Sequence, residues 1–208
     1  MIVLSHRGYW KTTEEKNTRV SFERSFNLGF GTETDLRDHN GKIVISHDMP
    51  KGNELGFEDI LRIMKGRNLP LALNIKADGL YQSIKELLEE YKHTNYFTFD
   101  MSIPDMFSQV KSGAKVFTGL SDILTKPALL PESEGIWLDC FYSDWYDCTK
   151  IDNLLSQGKK LCLVSADLHG RDTSKQWAII RKSNYINSHN LMICTDFPEK
   201  AREYFNEN

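Results

Sequence analysis

Short apolar runs alternating with stretches of helical periodicity constrain this chain more than any other feature. The runs fall at 2–5, 32–36, 70–76, 96–99, 115–120, 136–140, 161–165 and 191–195, with helical patterns over 18–28, 57–64, 80–91, 104–111, 150–155, 174–185 and 199–205. Strands separated by helices imply parallel pairing, because a parallel return needs a crossover that a tight turn cannot supply. Eight such strands are what a closed (β/α)8 TIM barrel requires. Only the link 121–135 lacks a convincing helix, and its Pro127 and Pro131 argue for an irregular connection.

A doubly wound open sheet shares this alternation. The barrel is preferred because strand after strand is apolar until it turns polar near its end, at His6, at Glu33 and Asp35, at Asn74 and Lys76, and at Asp100, Asp139, Ser165 and Asp196. In a barrel these positions ring one mouth, whereas an open sheet spreads them along an edge. With 208 residues the chain suits a single α/β barrel domain spanning 1–208, with a small hairpin insertion after strand 2.

The hairpin carries the densest chemistry. In an extended strand Glu33 and Asp35 point to the same side, where two carboxylates repel unless a cation sits between them. Asn40-Gly41 reads as a tight turn, and Ile43-Val44-Ile45 as a returning strand that delivers His47-Asp48. Ser5-His6-Arg7-Gly8 ends the first apolar run. Carboxylates, two imidazoles and a guanidinium are thereby available to one chemistry. Together such groups could neutralise charge on a substrate oxygen, take a proton from a nucleophile and give one to a leaving group. Glu33 and Asp35 are hard oxygen donors suited to Mg²⁺ or Ca²⁺. His6 and His47 can exchange protons near neutral pH, and Arg7 and Lys76 can hold a phosphate.

The succession His6-Arg7-Gly8, Asn17-Thr18, Ser21-Phe22, Glu33-x-Asp35 behind Gly31, and Asp38-x-x-Gly41-x-x-Val44-x-x-His47-Asp48 resembles the glycerophosphodiester phosphodiesterase family. The resemblance is specific over residues 6–48, becomes one of pattern over the middle of the chain, and returns faintly in Ile193-Cys194-Thr195-Asp196-Phe197-Pro198. It implies that His6 and His47 are the catalytic histidines, Glu33 and Asp35 two metal ligands, and Arg7 the phosphate-contacting arginine. Lys76 falls on the lysine of the family's third-strand E-x-K pattern, whose acidic position is here Asn74. Asn74 still offers a carbonyl oxygen as the third metal ligand, but with one negative charge fewer, so weaker metal binding is expected. Asp100, Asp139 or Asp167 could compensate.

The expected function is metal-dependent hydrolysis of a glycerophosphodiester-like substrate to an alcohol and a phosphomonoester. Two alternatives use the same residues: a lyase in which a substrate hydroxyl attacks and a cyclic phosphate leaves, and a degenerate barrel that only binds an anionic phosphate ligand. Retention of both histidines argues against the last, since binding alone needs no acid and base.

Other features carry less. A net charge of −3 without long charge blocks favours neither nucleic acid nor an anionic membrane as partner. The apolar runs are far shorter than the roughly 20 residues of a membrane span. A cleaved leader would remove His6, so a cytoplasmic location is expected. Cys140, Cys148, Cys162 and Cys194 form no C-x-x-C pair and read as reduced thiols. His39 is expected to be solvated, His93 to be a cation at a helix end, His189 to lie away from the mouth, and His169 to face it. Trp137, Tyr142, Trp145 and Tyr146 read as a cluster packing a loop. Asp38, Asp48 and Asp196 suit orienting or capping roles as well as they suit acting directly.

Overall fold

A computed structural model describes residues 1–206. Its strands are β1 (Ile2–His6), β2 (Gly31–His39), β3 (Lys42–Ile45), β4 (Leu71–Ile75), β5 (Tyr96–Phe99), β6 (Phe117–Leu120), β7 (Gly135–Leu138), β8 (Lys160–Val164) and β9 (Leu191–Thr195). Its α-helices are α1 (Arg19–Asn27), α2 (Phe57–Met64), α3 (Tyr81–Glu90), α4 (Ile103–Lys111), α5 (Cys148–Ser156), α6 (Ser174–Ile180) and α7 (Pro198–Asn206). The strand order is β5-β4-β2-β1-β9-β8-β7-β6, with β3 attached to β2. Running outward from β1, the order is sequential in both directions. A doubly wound sheet would reverse at a switch point instead, so the class is the (β/α)8 barrel. A parallel bridge from Thr98 in β5 to Val116, the residue from which β6 continues, marks the remaining seam.

The chain divides into two compact units, one of Ser5–Val116 and one of Met1–Leu4 with Phe117–Asn208. In the first, β2, β4 and β5 run parallel, with Asp35 paired to Asn74 and Asn74 to Phe99. Period-two alternation then sorts the side chains. Glu33, Asp35, Arg37, Asn74 and Lys76 share one face, while Leu36, Leu71, Leu73 and Ile75 take the other and join the core with Phe22 and Phe26 of α1 and Phe57 and Ile60 of α2. Burial on that apolar face fixes the register, because a slip of one residue would turn the carboxylates into the core.

The helix α2 begins and ends where its pattern predicts, stopped by Lys65 and Gly66 at φ 54° and 73°. The hairpin is less an insertion than a continuation. β2 runs on to His39 and pairs antiparallel with β3, from Leu36 opposite Ile45 to His39 opposite Lys42. Asn40 and Gly41, at φ 49° and 74°, make the two-residue turn. Glu33 and Asp35 therefore lie in the body of β2, not at its end.

In the second unit β6, β7, β8 and β9 are parallel in sequence order. The link 121–135 contains no helix, as its prolines predict. α6 stops at Ile180 rather than Tyr185 because Asp152 of α5 accepts hydrogen bonds from the Ser183 hydroxyl and from the Asn184 backbone and side-chain amides, drawing the chain out of the helix. The four cysteines are free thiols, with Cys140, Cys162 and Cys194 buried. Among the described residues no helix is long and apolar enough to cross a membrane.

Candidate active site

The site begins at the turn after β1. Arg7 and Gly8 both have positive φ, 57° and 78°. The Arg7 backbone N–H donates to the Glu33 carbonyl at 3.0 Å, and its carbonyl accepts from the Asn17 backbone N–H at 2.9 Å. The Gly8 N–H donates to the Thr32 hydroxyl at 3.0 Å, and a Cβ at Gly8 would lie 2.4 Å from Ser21 Oγ. Only glycine fits this approach. The turn pins His6 and Arg7 against β2.

Around Asp35, which is fully buried, three groups converge. Arg7 Nε is 2.9 Å from Oδ2, Lys76 Nζ is 3.5 Å from Oδ1, and Asn17 Nδ2 donates to Oδ2 at 2.9 Å. Asn17 also accepts from the Thr34 hydroxyl at 3.0 Å. His6 Nε2 stands 3.9 Å from Glu33 Oε2. Burial, and then the neighbouring Asp35 charge, push the Glu33 carboxyl well above its ordinary 4.5, against the pull of Arg7 and Lys76.

Proximity here is not the same as hydrogen bonding. Glu33 Oε2, Asp35 Oδ1 and Asn74 Oδ1 are buried without a hydrogen-bond partner, and so is Arg7 Nε, whose ion pair with Asp35 lacks bonding geometry. An unsatisfied buried polar atom costs about 1–3 kcal/mol. Three orphaned oxygens on one face of the paired strands β2 and β4 form a donor set of the kind a hard divalent cation takes. No group of three or more His, Cys, Asp or Glu side chains with metal-binding geometry occurs among the described residues, and the third unpartnered oxygen on this face is the Asn74 carbonyl. The Asn74 amide nitrogen donates to Asp100 Oδ2 at 3.3 Å.

His47 follows β3 and is held twice. Its ring Nδ1 is 2.9 Å from Asp48 Oδ1, and its backbone carbonyl accepts from Arg37 Nε and Nη2 at 3.2 and 3.1 Å. The ring is about half exposed, at 49%. His47 lines a cleft of about 710 Å³ that also includes Arg7, Asn17, Lys16, Arg19 and Lys51. Arg7, Lys76, Glu33, Asp35 and His6 therefore form one connected set, Asn74 joins it through the register, and His47 shares with this set only the cleft that Arg7 also lines.

Asn17 and Arg37 escape a reading of residue types. Asn17 lies in the 17–18 motif, but its bond to Asp35 depends on the turn. Arg37 is one more outward residue of β2 until the hairpin brings His47 beneath it.

Other expectations fare differently. His93 is buried rather than a helix-end charge in water: its Nε2 lies 3.1 Å from the Asn95 carbonyl, and desolvation lowers its pKa below the ordinary 6.5. His169 pairs with Asp139 at 2.7 Å and packs on Phe141. The aromatic cluster splits: Trp137 and Tyr146 are buried, Trp145 donates to the Asp139 carbonyl at 2.7 Å, and Tyr142 stands in solvent. Asp48 orients the His47 ring.

No protein-family model matches the sequence, and no curated protein is similar enough to count as a relative. Solved structures do match. A phosphodiesterase of Oleispira antarctica, in complex with the product sn-glycerol-3-phosphate, superposes with a TM-score of 0.70 at 15% identity, covering 100% of this chain and 97% of its own. A glycerophosphodiester phosphodiesterase from Agrobacterium tumefaciens gives 0.69 at 15% identity with 98% of each chain covered. A glycerophosphoryl diester phosphodiesterase from Parabacteroides distasonis gives 0.67 at 14% identity, covering 99% of this chain and 86% of its own. Over its whole length the chain has the fold of these solved phosphodiesterases.

Proposed function

We infer that the protein is a phosphoric diester hydrolase that cleaves a small glycerophosphodiester, with a divalent cation, Mg²⁺ or Ca²⁺, held by Glu33, Asp35 and Asn74. The observation that carries this reading is the set of three orphaned oxygens on one face beside Arg7, Lys76 and His6. The solved structures that share the fold add to it, because they are phosphodiesterases, one of them in complex with the product sn-glycerol-3-phosphate.

When bound, the cation supplies positive charge to a non-bridging phosphoryl oxygen. Arg7 and Lys76 bind the phosphate, Arg7 through a guanidinium fork and Lys76 as a point charge. Both balance Asp35 before substrate arrives. One imidazole of the His6 and His47 pair takes the proton of the attacking water, and the other protonates the leaving alkoxide. Asp48 holds His47 Nδ1, which leaves Nε2 for proton transfer.

Phosphorus NMR of glycerophosphocholine turnover by metal-stripped protein, before and after adding Mg²⁺ or Ca²⁺, tests the reading. Metal-dependent appearance of a phosphomonoester is expected. A cyclic phosphate as the sole product would replace hydrolysis with the lyase route, and silence with every metal would leave binding alone.

Two further outcomes follow. Arg37→Ala frees the His47 carbonyl, and misplacement of the His47 imidazole by even 1 Å lowers kcat by up to about 10²-fold; steady-state kinetics should place the loss in kcat, with KM little changed. The second concerns Glu33. Its folded pKa is raised, so the stability it allows is fully present below about pH 4.5 and is lost as pH rises through the folded value. Melting curves of metal-stripped protein should show this decline above pH 4.5, and added divalent cation should flatten it. A decline unchanged by metal would count against the Glu33 ligand role.

A further inference from the structure

We propose that Asp100 is a positioning residue that fixes the Asn74 amide, turning a neutral side chain into a usable oxygen donor. The proposal rests on the metal reading above. A carboxylate only accepts hydrogen bonds, so the 3.3 Å contact from Nδ2 to Asp100 Oδ2 determines which end of the amide faces Asp100. The other end, Oδ1, is then directed away from Asp100 and is buried without a partner. Asn74 lies opposite Asp35 in the parallel register, so that oxygen joins the Asp35 face.

A carboxylate behind the amide does more than aim it. By accepting from the N–H it increases negative charge on the carbonyl oxygen, as an outer carboxylate does for a metal-bound imidazole. The backbone is set for this purpose. Asp100 follows β5 at φ 63°, a left-handed conformation that non-glycine residues seldom adopt and that Asp tolerates better than most. The carboxyl group missing at position 74 is thereby supplied one strand further along, behind the donor instead of in its place. Asp139 and Asp167 are committed elsewhere: Asp139 to His169 and the Cys140 N–H, Asp167 to the Thr195 hydroxyl and the Asp196 N–H.

Calorimetric titration with Mn²⁺ tests this, with the electron paramagnetic resonance spectrum of the bound ion as a second readout. Asp100→Gly suits the left-handed backbone and removes the carboxylate together with its methylene. It should weaken Mn²⁺ roughly 10- to 100-fold, the usual effect of losing an outer-shell partner, without changing the melting temperature of the metal-free protein. Asp100→Asn keeps an acceptor oxygen and should recover most of that loss. In an Asn74→Leu background Asp100→Gly should have no further effect, because Asp100 acts through Asn74.

Equal weakening in both backgrounds would make Asp100 act by its own charge and overturn the proposal, as would unchanged binding in Asp100→Gly. Mn²⁺ binding that is absent in the native chain, or that survives Asp35→Asn, would remove the metal site itself. That failure is visible before Asp100 is changed.

Discussion

Replacing His6 or His47 by alanine is expected to lower turnover of a glycerophosphodiester by roughly 10²- to 10⁴-fold each, the usual contribution of a positioned acid or base. The two losses should differ in how they respond to the leaving group. A p-nitrophenolate departs without protonation, so on bis(p-nitrophenyl) phosphate the variant lacking the acid regains much of its rate while the variant lacking the base does not. The environments of the rings make the comparison informative: His6 has 12% of its side chain exposed and stands beside Glu33, while His47 is half exposed and paired to Asp48. Activity that survives either substitution on the natural type of substrate would remove that histidine from the mechanism.

Gly8→Ala should have the largest effect on folding. A Cβ there meets Ser21 Oγ at 2.4 Å and the Ser21 carbonyl carbon at 2.9 Å, and the second of these is backbone that cannot rotate away. Forced overpacking of this kind costs about 1–3 kcal/mol, and the left-handed backbone adds roughly 1–2 kcal/mol for any residue with a Cβ. Gly41→Ala is the control. Its φ is 74°, but nothing lies within 4 Å of the added carbon, so only the backbone penalty applies. Urea unfolding should place Gly8→Ala well below Gly41→Ala in midpoint. Equal midpoints would mean that α1 yields easily, and that the turn carrying His6 and Arg7 is not rigid.

Much of this was legible in the residues because strand alternation and helix periodicity are local. α2 and β9 have the limits their patterns imply, and Glu33 and Asp35 share a face because the strand period puts them there. What was not legible depends on elements that are distant in sequence. The extension of β2 through Arg37, Asp38 and His39 lacks an apolar signal, and the cross-hairpin partner alone makes it strand. The end of α6 is set by Asp152, which is more than twenty residues away in the chain. His93 suits a helix-end cation by its position in the chain, but packing buries it. The bonds of Asn17 to Asp35, Arg37 to the His47 carbonyl, and Asn74 to Asp100 each join residues that no single motif contains. Sequence spacing can bring charged groups to a mouth, but it cannot say which of them hold one another.

Every group proposed for the site, from His6 to Asp100, belongs to the unit Ser5–Val116. During synthesis, a ribosome that has exposed little more than half of the chain has already released all of them. The contacts among Arg7, Asn17, Asp35 and Lys76 span at most a few dozen residues, so their loop-closure entropy is modest. The second half of the barrel can therefore change in sequence, or be made late, without delaying the delivery of any residue of the site.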